Sequence, residues 1–441
     1  MTHMIFLAAC ALGAVVICVP LFILLSASRR GAGINYDDNY QPRVTIITPM
    51  FNEGASIRRT IASLLLQDYP VHLREIIIVD DCSSDDSYDH AVAALRGVPN
   101  ARVVRNVTNM GKRRSINRAV SMTDAEIVVS VDSDVVVEPA AISRMIRCFS
   151  SPKVAAVGGR VAILNERENW LTRMQAVKYY YSYFLIKRVE LRFRSVLCLS
   201  GCLTAYRRTV LEELLPVLEN RSVCGVEIKY GEDRYLTRMI VKAGYETIMN
   251  PQAVCRTVAP TSVSVYLSQQ LRWRRSNMVD YLGGLSHVWK GHPLVAFYFF
   301  SLFVAILLYP ALLVSTMVSG KFWTLMTYQL VIAFLLGVAY RLHAYKDPQA
   351  SAWNSIALAF IFPLTYGILT PLALLTLDAG TWETRAHEVP ADEPAAVPVR
   401  IHVNAAPVAT GFARAELLTI TSRLKFQADR DLGLSARSRH D

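Results

Sequence analysis

Three acidic motifs stand out by residue type and spacing. Asp80-Asp81 closes an apolar, β-branched run that starts near Glu75, Asp132-Ser133-Asp134 closes another that starts near Glu126, and Gly231-Glu232-Asp233 precedes a helix-like stretch ending at Gly244. Alternate residues of an extended chain point the same way, so Asp132 and Asp134 reach one ion together. Carboxylate oxygens suit Mg2+ or Mn2+, ions that bridge the phosphates of a sugar nucleotide and neutralise a departing diphosphate. A carboxylate of the third motif, Asp233 with Glu232 beside it, can take the proton of an acceptor hydroxyl as it attacks an anomeric carbon, a displacement that needs one base and no covalent nucleophile. Displacing an α-linked nucleotide in one step inverts the centre and gives a β-linkage. Asp also serves after strands and before helices as an ordinary cap or turn residue. Two acidic pairs in one sheet favour a site over that reading.

Two basic motifs complement the acids. Gly111-Lys112-Arg113-Arg114 opens a helix, where a glycine, a helix N-terminus and adjacent cations suit phosphate; the competing reading is a solvated basic face. Gln269-Gln270-Leu271-Arg272-Trp273 lies in an amphipathic stretch from Val263 to Leu285. Trp273 offers a flat apolar face for a sugar ring and Arg272 a bidentate partner for phosphate, or the segment is a basic interfacial helix with an aromatic anchor. Both uses are compatible.

The elements that must position these residues alternate. Apolar runs at Val44 to Thr48, Glu75 to Asp80, Arg102 to Arg105, Glu126 to Asp132 and Val154 to Val161 predict strands, and Ile57, Ile61, Leu64 and Leu65 between the first two repeat at helical spacing. A β-α-β-α pattern predicts an α/β domain with a mostly parallel sheet, whose ligands bind beyond the carboxyl ends of the strands. No G-x-G-x-x-G follows a strand, so a nicotinamide or flavin dinucleotide is not indicated.

With 52% hydrophobic residues in 441 and a mean hydropathy of +0.27, part of the chain belongs in lipid. Met4 to Ala27 is a nearly unbroken apolar run followed by Arg29-Arg30; the charge after the core and the run's length favour a retained signal anchor over a cleaved signal peptide. Three late apolar stretches follow, Leu294 to Ser319, Phe322 to Tyr340 and Ala352 to Leu377, the last carrying Pro363 and Pro371. The net charge of +11 fits cytoplasmic loops of a membrane protein better than nucleic-acid binding, for which interleaved aromatic and basic residues on a strand platform are missing. Eight cysteines without zinc spacing fit a reduced compartment, and Cys198 and Cys202 read as small apolar packing residues near the site.

In this order the motifs resemble those of the processive family-2 glycosyltransferases, which include hyaluronan synthases, rhizobial chitin-oligosaccharide synthases and the pneumococcal type 3 capsule synthase. The resemblance runs from about Val44 to Arg385. It implies a GT-A type catalytic domain, UDP-sugar donors with Mg2+ or Mn2+, a growing polysaccharide as acceptor, and a multi-pass inner-membrane protein with its catalytic domain in the cytoplasm. Asp80 and Asp81 would hold the uridine, Asp132 and Asp134 the metal, Asp233 would be the base, and Ser200-Gly201-Cys202 the acceptor-side segment. Gln269, Arg272 and Trp273 match their Q-x-x-R-W, and Trp382-Glu383-Thr384-Arg385 is similar to a gating loop whose Trp and Arg close over the nucleotide. Pro49, Asn52, Glu53, Lys112 and Arg113 are counted with the donor-binding residues. Cys202 stands where hyaluronan synthases usually carry Pro, and Glu383 replaces Gly. Gly-Glu-Asp is nearer the chitin-oligosaccharide pattern, while Ala259-Pro260-Thr261-Ser262 is similar to the capsule synthase.

The expected organisation is an anchor over residues 1–28, a transferase domain over 40–260, interface helices over 261–293, membrane helices over 294–378, and the gating segment with a mobile tail over 379–441. Three late crossings would carry Arg385 away from a cytoplasmic nucleotide, so the proline-interrupted third stretch is expected to lie partly at the interface or re-enter. The implied product is a hyaluronan-like polymer from UDP-N-acetylglucosamine and UDP-glucuronate, with a chitin oligosaccharide or a glucose/glucuronate capsule as alternatives. A single-sugar transferase to polyprenyl phosphate would need no Q-x-x-R-W segment, and a transporter would need intramembrane charges that the late stretches carry only at their ends.

Overall fold

In the computed structural model the described residues are 34–378, apart from 220, 224–225, 229, 286–287, 291–292 and 344–350. The expected signal anchor, the gating residues Trp382 and Arg385, and the tail lie outside them.

The β-branched runs form strands because both faces of the central sheet are covered. Strand β1 (Val44–Met50) is buried at every position, and helix α1 (Ile57–Leu65) packs Ile57, Ile61 and Leu64 against the sheet. There follow β2 (Arg74–Asp80), α2 (Ser87–Leu95), β3 (Ala101–Arg105), α3 (Lys112–Val120), β4 (Ile127–Val131), β5 (Val135–Val137), α4 (Ala141–Ile146) and β6 (Val154–Ile163). Next come α5 (Trp170–Tyr180), a π-helical turn (Tyr181–Ile186), α6 (Lys187–Arg192), β7 (Leu203–Arg207), α7 (Arg208–Glu219), a small ribbon of β8 (Ser222–Val223) with β9 (Val226–Glu227), α8 (Glu232–Lys242), and β10 (Glu246–Thr257).

The sheet has eight strands in the order β3-β2-β1-β4-β7-β6-β10-β5. Strands β3, β2, β1 and β4 run parallel, as do β6 and β10, while β7 runs antiparallel to both β4 and β6. That reversal matters for the site: Leu203 at the start of β7 pairs with Val131 at the end of β4, so Ser200-Gly201-Cys202 arrives beside Asp132. The carboxyl end of β10 pairs with β5, which brings Thr257 opposite Val135.

Helix α9 (Val263–Gly284) is 22 residues long, and its buried positions include Gln269, Gln270, Arg274, Ser276 and Asp280. The sequence pattern predicts an amphipathic stretch here; the observed buried face is strongly polar because it roofs a cavity. Beyond it, α10 (Pro293–Val318) and α11 (Phe322–His343) are followed by a helical run of α12 (Ile356–Phe362), a π-helical turn opened by Pro363, and α13 (Leu369–Leu375). Segments Pro293–Val318, Phe322–Leu342 and Ala352–Leu375 are each long and apolar enough to cross a membrane, with mean hydropathies of 2.3, 1.8 and 1.9. Their exposed side chains include Val314, Val318, Leu335, Phe360 and Leu375.

The third segment lies against the catalytic domain at several levels. Ile361 packs with Leu171, Met174 and Tyr266, Arg274 sits over the Tyr366 ring, Arg275 Nε donates to Thr376 Oγ1 at 3.0 Å, and Tyr230 Oη donates to the Leu377 carbonyl at 2.8 Å.

Candidate active site

At the carboxyl ends of β1 and β4, under α5 and α9, is a cavity of about 380 Å³ whose lining includes Lys112, Asp132, Asp134, Glu232, Asp233 and Arg272. Lys112, the first residue of α3, stands between two acids, with Nζ 2.7 Å from Asp132 Oδ1 and 2.8 Å from Glu232 Oε1. Asp134 accepts from Thr257 Oγ1 at 3.0 Å, and Ser133 turns away to donate to Glu53 Oε1 at 2.7 Å. Asp233 Oδ2 accepts from the Gly201 amide at 3.3 Å and its Oδ1 from the Arg234 amide at 2.8 Å. Both acids of Gly231-Glu232-Asp233 occupy the first turn of α8, where the helix's positive end suits negative charge.

Two glycines make this closeness possible. A Cβ on Gly201 would come within 2.9 Å of Lys112 Nζ and 3.4 Å of Asp132 Oδ2. Gly231 holds a left-handed backbone (φ 70°), and a Cβ there would fall 2.0 Å from Ser276 Oγ on α9.

The remaining expected residues divide by position. Pro49, Glu53, Ser200, Cys202, Arg272 and Trp273 also line the cavity; Asn52, Asp80, Asp81, Arg113 and Gln269 do not. Asp81 is fully buried and holds the loop before α3, accepting from Asn106 Nδ2 (2.7 Å) and from the amides of Met110 (2.9 Å) and Gly111 (2.7 Å). Asp80 accepts from the Ser83 amide and pairs with Arg105 at 3.1 Å. Asn52, with φ 52°, accepts from the Ser84 amide and braces the β1 and β2 loops against each other. Arg113 donates to the Leu218 carbonyl, and Gln269 is buried with neither amide atom partnered.

Burial works against charge in this cluster, and the mutual arrangement decides the outcome. Burial alone would lower the Lys112 ammonium, but Asp132 and Glu232 hold it well above the ordinary lysine value. Burial would raise Glu232, yet Lys112 pulls it down to about 2. Asp132 is raised, first by burial and then by the neighbouring Asp134 charge, with Lys112 opposing.

Several lining residues have no counterpart in the sequence expectations. Lys178, Tyr179 and Tyr183 come from the α5 helix and its π-helical turn, Arg274 from α9, and Tyr366 from the third apolar segment. Tyr179 is tilted against Trp273 with ring centres 6.3 Å apart and stacks on Tyr183 at 5.9 Å, so Trp273 belongs to an aromatic row. A run of four tyrosines in Tyr179 to Tyr183 is the one local signal that could have flagged this wall.

Whether the residues fit a divalent ion can be judged from the donor set. Among the described residues no group of three His, Cys, Asp or Glu side chains converges on one point. Two carboxylates suffice for Mg2+ or Mn2+ when substrate phosphates complete the shell, and Asp132 with Asp134 beside the space kept open at Gly201 is such an arrangement.

An eight-stranded mixed sheet with acids at these strand ends is the GT-A type of glycosyltransferase fold. The family model described as "Glycosyltransferase like family 2" matches residues 42–276, and the chain belongs to that family. An N-acetylglucosaminyltransferase of Azorhizobium caulinodans is 34% identical over 265 residues, covering 59% of this chain and 66% of that protein. The hyaluronan synthase of Streptococcus pyogenes serotype M1 is 31% identical over 263 residues, covering 58% of this chain and 61% of that protein. The chain thus spans less than two thirds of the length of these curated relatives. The mannosyltransferase PcManGT from Pyrobaculum calidifontis, solved with GDP-Man and Mn2+, superposes with a TM-score of 0.57 over 83% of this chain and 99% of that one; at 22% identity the likeness is one of fold.

Proposed function

We propose that this protein is a membrane-embedded, processive, inverting β-glycosyltransferase that polymerises sugars from UDP-donors and passes the polymer into the bilayer domain. The observation that carries this reading is the convergence of Lys112, Asp132, Asp134, Glu232, Asp233, Arg272 and Trp273 on one cavity at the carboxyl ends of the strands.

Asp132 and Asp134 would hold Mg2+ or Mn2+, which supplies charge neutralisation for the departing diphosphate. Lys112 and Arg272 add positive charge for the phosphates, and Asp81 acts on the donor through the loop it fastens ahead of Lys112. Trp273 and Tyr179 give the acceptor sugar an apolar face. Asp233, fixed by the Gly201 and Arg234 amides, takes the acceptor hydroxyl proton as that oxygen attacks, and afterwards releases it to water. Ser200-Gly201-Cys202 lies next to both the base and the Asp132 carboxylate, the position an acceptor end needs.

The contacts of the third apolar segment support an interfacial course for it, with two crossings by α10 and α11. Tyr230, immediately before Gly231, donates to the Leu377 carbonyl, which holds the end of the third segment against the catalytic domain. A reporter fused after Arg385 is expected in the cytoplasm; a periplasmic reporter would remove the gating role of Trp382 and Arg385.

Two products fit the relatives, a hyaluronan-like polymer and a polymer of N-acetylglucosamine alone, since those relatives are named both hyaluronan synthase and N-acetylglucosaminyltransferase. The test is purified protein in lipid given each UDP-sugar singly and in pairs, with the product digested by linkage-specific hydrolases. A β-linked polymer is expected; release of free sugar with no polymer would refute the reading.

A further inference from the structure

The wall around Trp273 carries more positive charge than the transfer step uses. Lys178 donates from Nζ to Gln270 Oε1 at 2.6 Å, and that nitrogen lies 5.8 Å from the centre of the Trp273 ring. Arg274, one residue past Trp273, is 4% exposed and stands 3.8 Å over the Tyr366 ring, with Nε and Nη1 buried and lacking hydrogen-bond partners. The buried Nε2 of Gln270 has none either.

Among the described residues no carboxylate forms an ion pair with Lys178 or Arg274. The acids nearby are committed elsewhere: Asp132 and Glu232 to Lys112, and Asp280 to Arg238. A buried guanidinium without a counter-ion is costly, and a site with unpaired donors discriminates strongly for a ligand that pairs them. Burial pulls the Lys178 ammonium down to about 8, and the neighbouring Arg274 charge acts in the same direction.

We propose that Lys178 and Arg274 form a subsite for the carboxylate of a hexuronate residue in the growing chain, so that the acceptor is an acidic polysaccharide and one donor is a UDP-hexuronate. The inference rests on the polymerase reading above and selects between its two products. A hexuronate stacked on Trp273 carries its carboxylate at the ring edge, on a wall that Lys178 and Arg274 both line. The guanidinium presents paired N–H groups to two carboxylate oxygens, and Lys178 adds a point charge. A neutral N-acetylhexosamine would leave both cations without an anionic partner, with only Gln270 beside Lys178 and Tyr366 beside Arg274.

The test compares binding of two oligosaccharides of equal length to the full chain in lipid nanodiscs, one alternating with hexuronate and one made only of N-acetylhexosamine, by titration calorimetry. The acidic ligand is expected to bind at least about tenfold more tightly at low salt, with the gap narrowing as salt rises. In Lys178→Gln and in Arg274→Gln, made separately on different helices, the acidic-to-neutral ratio is expected to fall towards one, whereas a purely structural loss would weaken both ligands alike. Equal binding by the wild type, tighter binding of the neutral ligand, an unchanged ratio in both variants, or competitive displacement of the acidic ligand by UDP alone would each overturn the proposal. UDP binding measured on the same samples separates this from failure of the transferase reading: UDP binding with no acidic preference sinks only the subsite, while acidic preference with no UDP binding sinks the transferase.

Discussion

Replacing Gly231 by alanine strikes the joint between Asp233 and the roof of the cavity. The residue sits at φ 70°, and the added Cβ would meet Ser276 Oγ at 2.0 Å and Ser276 Cβ at 2.9 Å. The left-handed backbone costs a non-glycine residue about 1–2 kcal/mol, and overpacking against a helix adds about 1–3 kcal/mol. Relief comes by moving the start of α8 from α9 by on the order of an ångström, and misplacement on that scale reduces a positioned reaction by about a hundredfold. Donor binding, which leans on Lys112 and Asp132, should change much less than transfer. The assay pairs the rate of sugar transfer with UDP affinity in Gly231→Ala, and repeats both in Gly231→Ala with Ser276→Gly. The second change removes the collision but not the backbone strain, so partial recovery is expected. Wild-type transfer in Gly231→Ala, or no recovery at all in the double variant, would refute the reasoning.

Chelation of divalent ions should abolish transfer, and Asp134→Asn should raise the Mn2+ concentration for half-maximal rate by about tenfold or more; metal titrations of the two proteins check this. Because Glu232 lies at about 2 in the fold against an ordinary 4.5, the stability it contributes is complete above pH 4.5 and is lost as pH falls from there towards 2. The stability gap between wild type and Glu232→Gln, followed by denaturant unfolding, should therefore shrink over that window, and a gap independent of pH would contradict the Lys112 pairing. Trp273→Ala should shorten the product and weaken acceptor binding by about tenfold, the scale of one lost aromatic platform, as read by product sizing and acceptor titration.

The parallel half of the sheet was legible because β1, β2 and β4 are rich in β-branched residues and β3 carries a Val-Val pair, with helical spacing or turns between them. Strand β10 was hidden: Asn250-Pro251 sits in its middle, a pair that reads as a break, and the strand accommodates it by shifting register between Asn250 and Val254. Strand β7 is short and mixed in character, LTAYR, and only its pairing between β4 and β6 makes it a strand. The acids of the cavity could be found because strand ends and a helix start carry recognisable spacing. Lys178, Arg274 and Tyr366 could not, since a lysine or arginine in a helical stretch ordinarily means a solvated surface. They meet only when α5, α9 and the third apolar segment close over the site, which buries Arg274 and leaves Lys178 and Tyr366 half-buried. Asp81, expected with the donor-binding residues, has both its oxygens engaged in fastening the loop that delivers Lys112.

The most direct test of the central claim is Asp233→Asn in the purified, lipid-embedded protein, with transfer and UDP affinity measured on one sample. Asparagine keeps the shape and can still accept the Gly201 amide but cannot take the acceptor proton, so transfer should fall by about a hundredfold to ten-thousandfold while UDP binds within a few-fold of wild type. Polymer synthesis at the wild-type rate would contradict the assignment of Asp233 as base and the single-cavity mechanism built on it.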